Sequence, residues 1–381
     1  MKHKTSFNPL LVGIAVVLII IGVFTLEAHF NSGTRIVEMA GLYSINQVVK
    51  VNNSTVAFAG VGVNGNTSVG MAGLLFLNNL SYIYFNVSKY FLNGSIYSIA
   101  YNGSAFLMGG AKYIKSGNST FLEPEVVLLT SEGVKNFTSQ IPRFYTPGQV
   151  LAVSWDQGFW LIGGSSLEVE GTSTFQIPFL LKLTSNISDL TASLPRSFYS
   201  PLSVGTGIFT ISSGQDKSFI AGAHLFNFTF AVYNGTGFNS PFQNEGAIIT
   251  SSYSPLGWLF GGFNYSSRDN GLVLTLFGTY NDTGIHFIKL KYEVGIVNSV
   301  GYGEGKYLVA LRIPVVNNLT MSTSEEGIIL AGNSLSTLTQ VFNKVNVSIN
   351  SIVTVHEHIV GGGYSIVSGE RHAIIVLINL K

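Results

Sequence analysis

This sequence predicts an all-β fold, a seven-bladed β-propeller of four-stranded blades, preceded by one transmembrane helix. Three observations carry that reading. A short apolar pattern ending in glycine recurs six times, with a seventh, degenerate copy, at intervals of about 50 residues. Each interval has room for four short strands separated by turn residues. An uncharged apolar run stands near the start of the chain.

The apolar run comes first in order. Leu10 to Leu26 is 17 residues without a charge, about 25 Å as a helix and long enough to span a bilayer. Lys2 and Lys4 precede it and Glu27 follows. The positive-inside rule then puts residues 1–8 in the cytoplasm, a signal-anchor helix at 9–26 and everything later outside the cell. A cleaved signal peptide competes with this, but the stretch Thr25-Leu26-Glu27-Ala28-His29-Phe30 has no clean small-x-small site. Residues 27–33 read as a short linker, and 34–381 as a single extracellular domain.

Composition bounds what that domain does. Only 10% of the 381 residues are charged and 46% are hydrophobic, which excludes disorder. Lys+Arg 20 against Asp+Glu 19 leaves no basic surface for nucleic acid. Cysteine is absent, so there are no disulfides, thiolate metal sites or cysteine nucleophiles. Sixteen Asn-x-Ser/Thr sites occur where chance would give about five, which suggests a glycoprotein. Among them are Asn66, Asn86, Asn102, Asn136, Asn186, Asn234, Asn281 and Asn346. Dense sequons without disulfides point to a prokaryotic, archaeal cell surface.

The repeats follow. The anchors are Ala57-Phe58-Ala59-Gly60, Phe106-Leu107-Met108-Gly109-Gly110, Trp160-Leu161-Ile162-Gly163-Gly164 and Phe219-Ile220-Ala221-Gly222. Trp258-Leu259-Phe260-Gly261-Gly262, a degenerate Tyr307-Leu308-Val309-Ala310 and Ile359-Val360-Gly361-Gly362 complete the set. Before each lies a strand and a hairpin turn, such as Asn102-Gly103 or Asp156-Gln157-Gly158. The paired glycines imply close backbone approach at the crowded inner strands. The last unit, from about Ser351, has only three strands. The spare strand Thr34–Ala40 is expected to complete it and so remove the open sheet edge.

Two units share a longer match, Ile141-Pro142-Arg143-Phe144-Tyr145 and Leu194-Pro195-Arg196-Ser197-Phe198-Tyr199. With the glycine pairs, this resembles the kelch repeat of galactose-oxidase-like propellers. Phe137 and Leu190 stand where that repeat carries tryptophan. The resemblance implies a propeller fold. It does not imply the family's oxidase chemistry, which needs a Tyr–Cys crosslink. Arg143 and Arg196 hold repeat-equivalent places and are expected to pack between blades.

Few residues offer chemistry. His356-Glu357-His358 at a hairpin turn can supply two nitrogens to zinc or copper, but lacks an evident third ligand. Glu123/Glu125 and Glu168/Glu170 are i, i+2 pairs, expected in equivalent loops between the second and third strands. Four acids round one mouth would suit Ca²⁺, a sugar, or hydrolysis by paired carboxylates. Ser154-x-Asp156-x-Gly158-x-Trp160 is similar to a sialidase Asp-box, but its aromatic falls one residue early. The sparse titratable groups favour a noncatalytic binding or scaffold module with no required cofactor, for a surface glycan or an envelope protein. An extracellular hydrolase or metalloenzyme, and a self-associating envelope protein, are the alternatives.

Overall fold

The computed structural model describes residues 29–31, 33–117, 119–170, 173–199, 206–224, 227–239, 243–266, 272–317 and 322–380. The expected membrane helix at 9–26 lies outside the described residues. No helix among those described is long and apolar enough to cross a membrane.

Seven antiparallel sheets form a closed propeller. The innermost strands are Leu42–Asn52, Gly94–Tyr101, Gly148–Asp156, Gly207–Ser213, Ala247–Ser254, Ile296–Gly303 and Val347–Val355, in blades 1 to 7. Every apolar-glycine anchor lies on the second strand of its blade, including the degenerate unit, on Lys306–Asn317 of blade 6. The ring closes as expected: Thr34–Glu38 pairs with Glu370–Asn379 as the fourth strand of blade 7. One boundary moves, because His29–Asn31, expected as linker, adds a fifth, outermost strand. A three-residue edge strand carries too little alternation to be read from sequence.

Large apolar side chains fill the spaces between blades. Phe106, Phe179, Phe198, Phe219 and Phe260 are fully buried, each contributing on the order of 2–3 kcal/mol of transfer free energy. The inner strands share one irregularity, a β-bulge at the same level of every blade. Its bulged residues are Asn46, Tyr97, Leu151, Phe209, Ile249, Asn298 and Asn350. A bulge turns one extra side chain aside, and all seven line the central channel.

The glycine pairs answer to this bulge. A Cβ on the first glycine would strike the next blade's branched side chain: Val150 from Gly109 at 2.4 Å, Ile208 from Gly163 at 2.5 Å and Val297 from Gly261 at 2.4 Å. A Cβ on the second would meet a carbonyl of its own inner strand, as for Gly110 against Ser95 at 2.1 Å. In blade 7 the equivalent pair is Gly362-Gly363, one residue later than the sequence suggested, since Gly362 faces Ser351 and Gly363 faces Ile349.

One side chain per blade then ties the ring together. Ser351 Oγ accepts from the Val48 N–H at 3.1 Å, and Ser299 Oγ from Ile352 N–H at 3.1 Å. Thr250 Oγ1 accepts from Val300 N–H at 3.2 Å, Ser98 Oγ from Val153 N–H at 3.0 Å, and Gln47 Oε1 from Ile99 N–H at 2.7 Å. Thr210 meets Ser251 hydroxyl to hydroxyl, and only Ala152 interrupts the series. Asn46, Asn298 and Asn350 donate across three successive junctions to Ile96, Ile349 and Ile45 carbonyls. Ser351→Ala leaves the buried Val48 N–H without its partner and is expected to cost about 1–3 kcal/mol. Denaturant unfolding of the variant reads this directly; a loss near zero would show that the series is not a tie.

Candidate functional site

Four antiparallel strands return the chain to the same end of each blade, so the propeller has two distinct faces. One carries the turns between strands 1 and 2 and between 3 and 4, and is called here the turn face. The other carries the hairpins between strands 2 and 3 and the connectors between blades, and is called the hairpin face.

The central channel is about 320 Å³. Its lining is hydroxyl and carboxamide on one arc and aromatic or aliphatic on the other. Asn298, Asn350 and Asn46 form the polar arc; Leu151, Phe209 and Ile249 oppose it, with Tyr97 between. Burial pushes the Tyr97 phenol up, helped by the neighbouring Tyr113. Among the described residues, Lys50 is the one charged side chain in the lining. It lies toward the turn face and pairs with Glu304 at 2.8 Å, joining blades 1 and 6 past the end of blade 7. That hydrogen bond, aided by His356, holds the Glu304 carboxyl below its usual range.

The four glutamates do not sit in loops. Glu123 and Glu125 lie on the third strand of blade 2, Ser119–Thr130, and Glu168 and Glu170 on the second strand of blade 3, Phe159–Glu170. The pairs are therefore not equivalent. The hairpins run on as paired strands past the glycines, with Lys112 opposite Glu123 and Glu168 opposite Phe175. The side chains of Glu168 and Glu170 lie outside the described part of the structure. Glu125 is fully buried. Lys112 pairs with both its carboxylate and that of Glu123, the latter at 2.9 Å. Thr138 Oγ1 donates to Glu125 Oε2 at 2.6 Å. Burial pushes the Glu125 carboxyl up against the pull of Lys112 and Thr138. Burial draws Lys112 down, but the two carboxylates outweigh it and leave it raised. Both described glutamates are thus bound up in an ion-pair cluster.

His356 occupies the expected turn, with φ 53°, and His358 opens the second strand of blade 7. Among the described residues no group of three His, Asp or Glu side chains is placed to hold a metal ion. Asp156 accepts from the Ser218 hydroxyl of blade 4 and so links two blades.

Arg143 and Arg196 depart from expectation. Both guanidinium side chains are exposed on hairpin-face connectors. The packing role falls instead to Ile141 and Tyr145 in one connector and to Leu194 and Phe198 in the other, all buried. Arginine was expected inside because it recurs with its apolar neighbours; the connector's single turn points it the other way.

The sequons carry a second meaning. Asn102 Oδ1 accepts from the Ser104 N–H at 2.9 Å and from the Ser104 hydroxyl at 3.0 Å. Asn52, Asn79, Asn234 and Asn281 repeat both contacts with the residue two positions on. Asn-x-Ser/Thr is therefore also the turn chemistry of this propeller. Oδ1 does this work, which leaves Nδ2, the glycan-bearing atom, to other partners. Asn66, Asn186 and Asn346 are exposed; Asn86 lies in a connector and Asn136 ends the fourth strand of blade 2.

A distribution invisible in the sequence concerns the exposed apolar residues. Among the described residues twelve large hydrophobic side chains are exposed. All but Leu256 and Phe287 belong to the hairpin face. Phe144, beside Arg143, is the most exposed at 64%.

No family model matches the chain, and no curated protein matches it. Solved structures do. YCF48 bound to a D1 peptide aligns with a TM-score of 0.52 at 9% identity, over 94% of this chain and 100% of that one. A Trypanosoma rangeli sialidase mutant displaying trans-sialidase activity aligns at 0.48 and 8% identity, over 93% of this chain and 57% of that one. Sqt1 of Chaetomium thermophilum aligns at 0.46 and 10%, over 89% and 96%. At such identities the likeness is one of fold.

Proposed function

We propose that this chain is a membrane-anchored, extracellular propeller, a noncatalytic binding or scaffold module at a cell surface. Its ligand is an uncharged, hydroxyl-rich one, a surface glycan or a glycosylated envelope protein. The channel carries this reading. Its mouth on the turn face offers the half-buried Ser252 hydroxyl beside Tyr302. A hydroxyl and an aromatic ring suit a sugar better than an ionised substrate. The scarcity of titratable groups there supports a noncatalytic role. A kelch-like ancestry is part of the proposal, supported by the glycine pairs on second strands. So are glycans at the exposed sequons and an archaeal surface. The anchor at 9–26 rests on the apolar run and its flanking lysines.

The test is calorimetric titration of the full chain, in detergent, with a panel of neutral oligosaccharides. Binding is expected in the micromolar to millimolar range and is expected to be lost in Ser252→Trp, which fills the mouth. A panel that binds nothing, or binding that Ser252→Trp leaves intact, removes the channel from this role.

A further inference from the structure

We propose that the channel is a cup for one terminal sugar ring, and that its floor selects a neutral 6-deoxyhexose, which carries hydroxyls along one edge and a methyl group at the other. This deepens the proposed function and rests on the channel binding an uncharged, hydroxyl-rich ligand.

The first argument is shape. Every inner strand enters from the hairpin face and leaves at the turn face. Among the described residues, none that lines the channel lies on the hairpin side of the bulge. The bulged side chains are therefore a floor, and the mouth opens on the turn face. The volume of about 320 Å³ is at the lower end for small-molecule sites, about 300–1,000 Å³. That suits one pyranose ring at the end of a glycan rather than a longer stretch. Lys50 is engaged by Glu304 at the rim, so an acidic sugar gains little from it.

The second argument is the chemistry of the floor, which is divided in two. Its polar arc is three asparagines in blades 6, 7 and 1, all half-buried. Each donates from Nδ2 to a carbonyl and to a serine of the next blade. Asn46 reaches Ile96 at 2.8 Å and Ser95 at 3.1 Å. Asn298 reaches Ile349 at 3.1 Å and Ser348 at 3.3 Å. Asn350 reaches Ile45 at 2.9 Å and Ser44 at 3.1 Å. A carbonyl can only accept, so these contacts fix which end of each carboxamide is nitrogen, and both amide hydrogens are taken. What remains is Oδ1. Ser44 donates to that of Asn46 at 3.4 Å and Ser348 to that of Asn350 at 3.2 Å, whereas Asn298 has Ile296 at the same place. Oδ1 has two lone pairs, so this arc still accepts hydrogen bonds and donates none.

The other arc offers no hydrogen-bonding side chain. Leu151, Phe209 and Ile249, in blades 3, 4 and 5, are half-buried and line the cup. The hydroxyls nearest them are engaged between blades: Ser98 and Thr250 accept backbone N–H groups, and Thr210 meets Ser251. A ligand hydroxyl set against this arc loses water and gains no partner, whereas a methyl group there buries apolar surface on both sides. A hexose carries a hydroxymethyl group at C5, and a 6-deoxyhexose a methyl. With the ring hydroxyls donating to the asparagine Oδ1 atoms, the C5 substituent turns toward the apolar arc.

Methyl glycosides that differ only at C6 provide the test: L-fucoside against L-galactoside, and L-rhamnoside against L-mannoside. Each is titrated calorimetrically into the full chain in detergent. In at least one pair the deoxy sugar is expected to bind about tenfold or more tightly than its partner. Ile249→Thr keeps the side-chain shape and adds a hydroxyl to the apolar arc, and Leu151→Asn places a carboxamide there. Both are expected to bring the two affinities within about twofold of each other. Two variants are used so that a folding failure in one leaves the other to decide. Equal binding of both members of each pair by the parent overturns the proposal. A deoxy preference that survives in the folded variants also overturns it, because the discrimination then lies off the floor. If neutral oligosaccharides bind in a manner abolished by Ser252→Trp, yet neither deoxy glycoside binds, this inference falls and the channel reading stands. If no neutral sugar of either panel binds, both fall together.

Discussion

Gly363→Ala is expected to abolish or severely weaken folding, while Gly301→Ala is tolerated. The two lie in neighbouring blades of one ring, yet their surroundings differ. A Cβ at Gly363 would stand 1.8 Å from the Ser348 carbonyl oxygen, 2.9 Å from its carbon and 3.0 Å from the Ile349 Cα. All three are backbone atoms, so no rotamer change relieves the overlap. The inner strand of blade 7 would have to move outward, and with it the bulge that places Asn350 and Ser351. Those residues hold the Ile45 carbonyl and the Val48 N–H of blade 1, at the junction where the ring closes. The cost is expected at about 3 kcal/mol or more. At Gly301 a Cβ would meet nothing nearer than the Ile352 carbonyl oxygen at 3.5 Å, an ordinary contact. There alanine is expected to be neutral, or stabilising by up to about 1 kcal/mol through the unfolded chain. Denaturant midpoints for the two variants decide the matter; similar midpoints would mean that the glycines follow composition rather than the bulge.

That contrast also shows how far the sequence could be read. The seven anchors, their place on second strands and the closing strand at Thr34 were legible because glycine beside a buried apolar run is rare and periodic. Close backbone approach was legible as the reason for the glycines and is what the structure shows, but the bulge behind it was not, since a bulge is a register shift between strands and leaves no fixed mark on either one. The ring-tying residues were hidden for a different reason. Ser98, Thr250, Ser299 and Ser351 are four among many hydroxyls in a chain rich in serine and threonine, and only register sets them apart. Glu123 and Glu125 were expected in a loop because a polar stretch follows the glycine pair. Pairing between the second and third strands carries the hairpin on regardless, with Pro124 opposite Ala111. Whether a repeated side chain faces inward is likewise set by a single turn, as Arg143 and Arg196 show.

The Lys112 cluster yields the second large effect. Replacing Lys112 by Met leaves Glu125 fully buried with no cation and with Glu123 as a like charge nearby. Breaking a buried pair in this way costs about 3–5 kcal/mol. The loss must depend on pH, and its sign follows from the direction of the shift. Burial already raises the Glu125 carboxyl above its usual range, so the folded state holds that proton more tightly than the unfolded chain does. The stability this contributes is complete below the unfolded carboxyl value, about 4.3, and is lost as pH rises through the folded value. Without Lys112 the folded value climbs further. Lys112→Met is therefore expected to be much weaker than the parent at about pH 7 and to approach it at about pH 4–5. Adding Glu125→Gln removes the charge itself and should flatten that dependence while restoring most of the loss. Thermal unfolding of the parent, single and double variants across this range provides the measurement. If the single variant tracked the parent at every pH, Glu125 would already be protonated in the parent, and the cluster would be a hydrogen-bonded network rather than an ion pair.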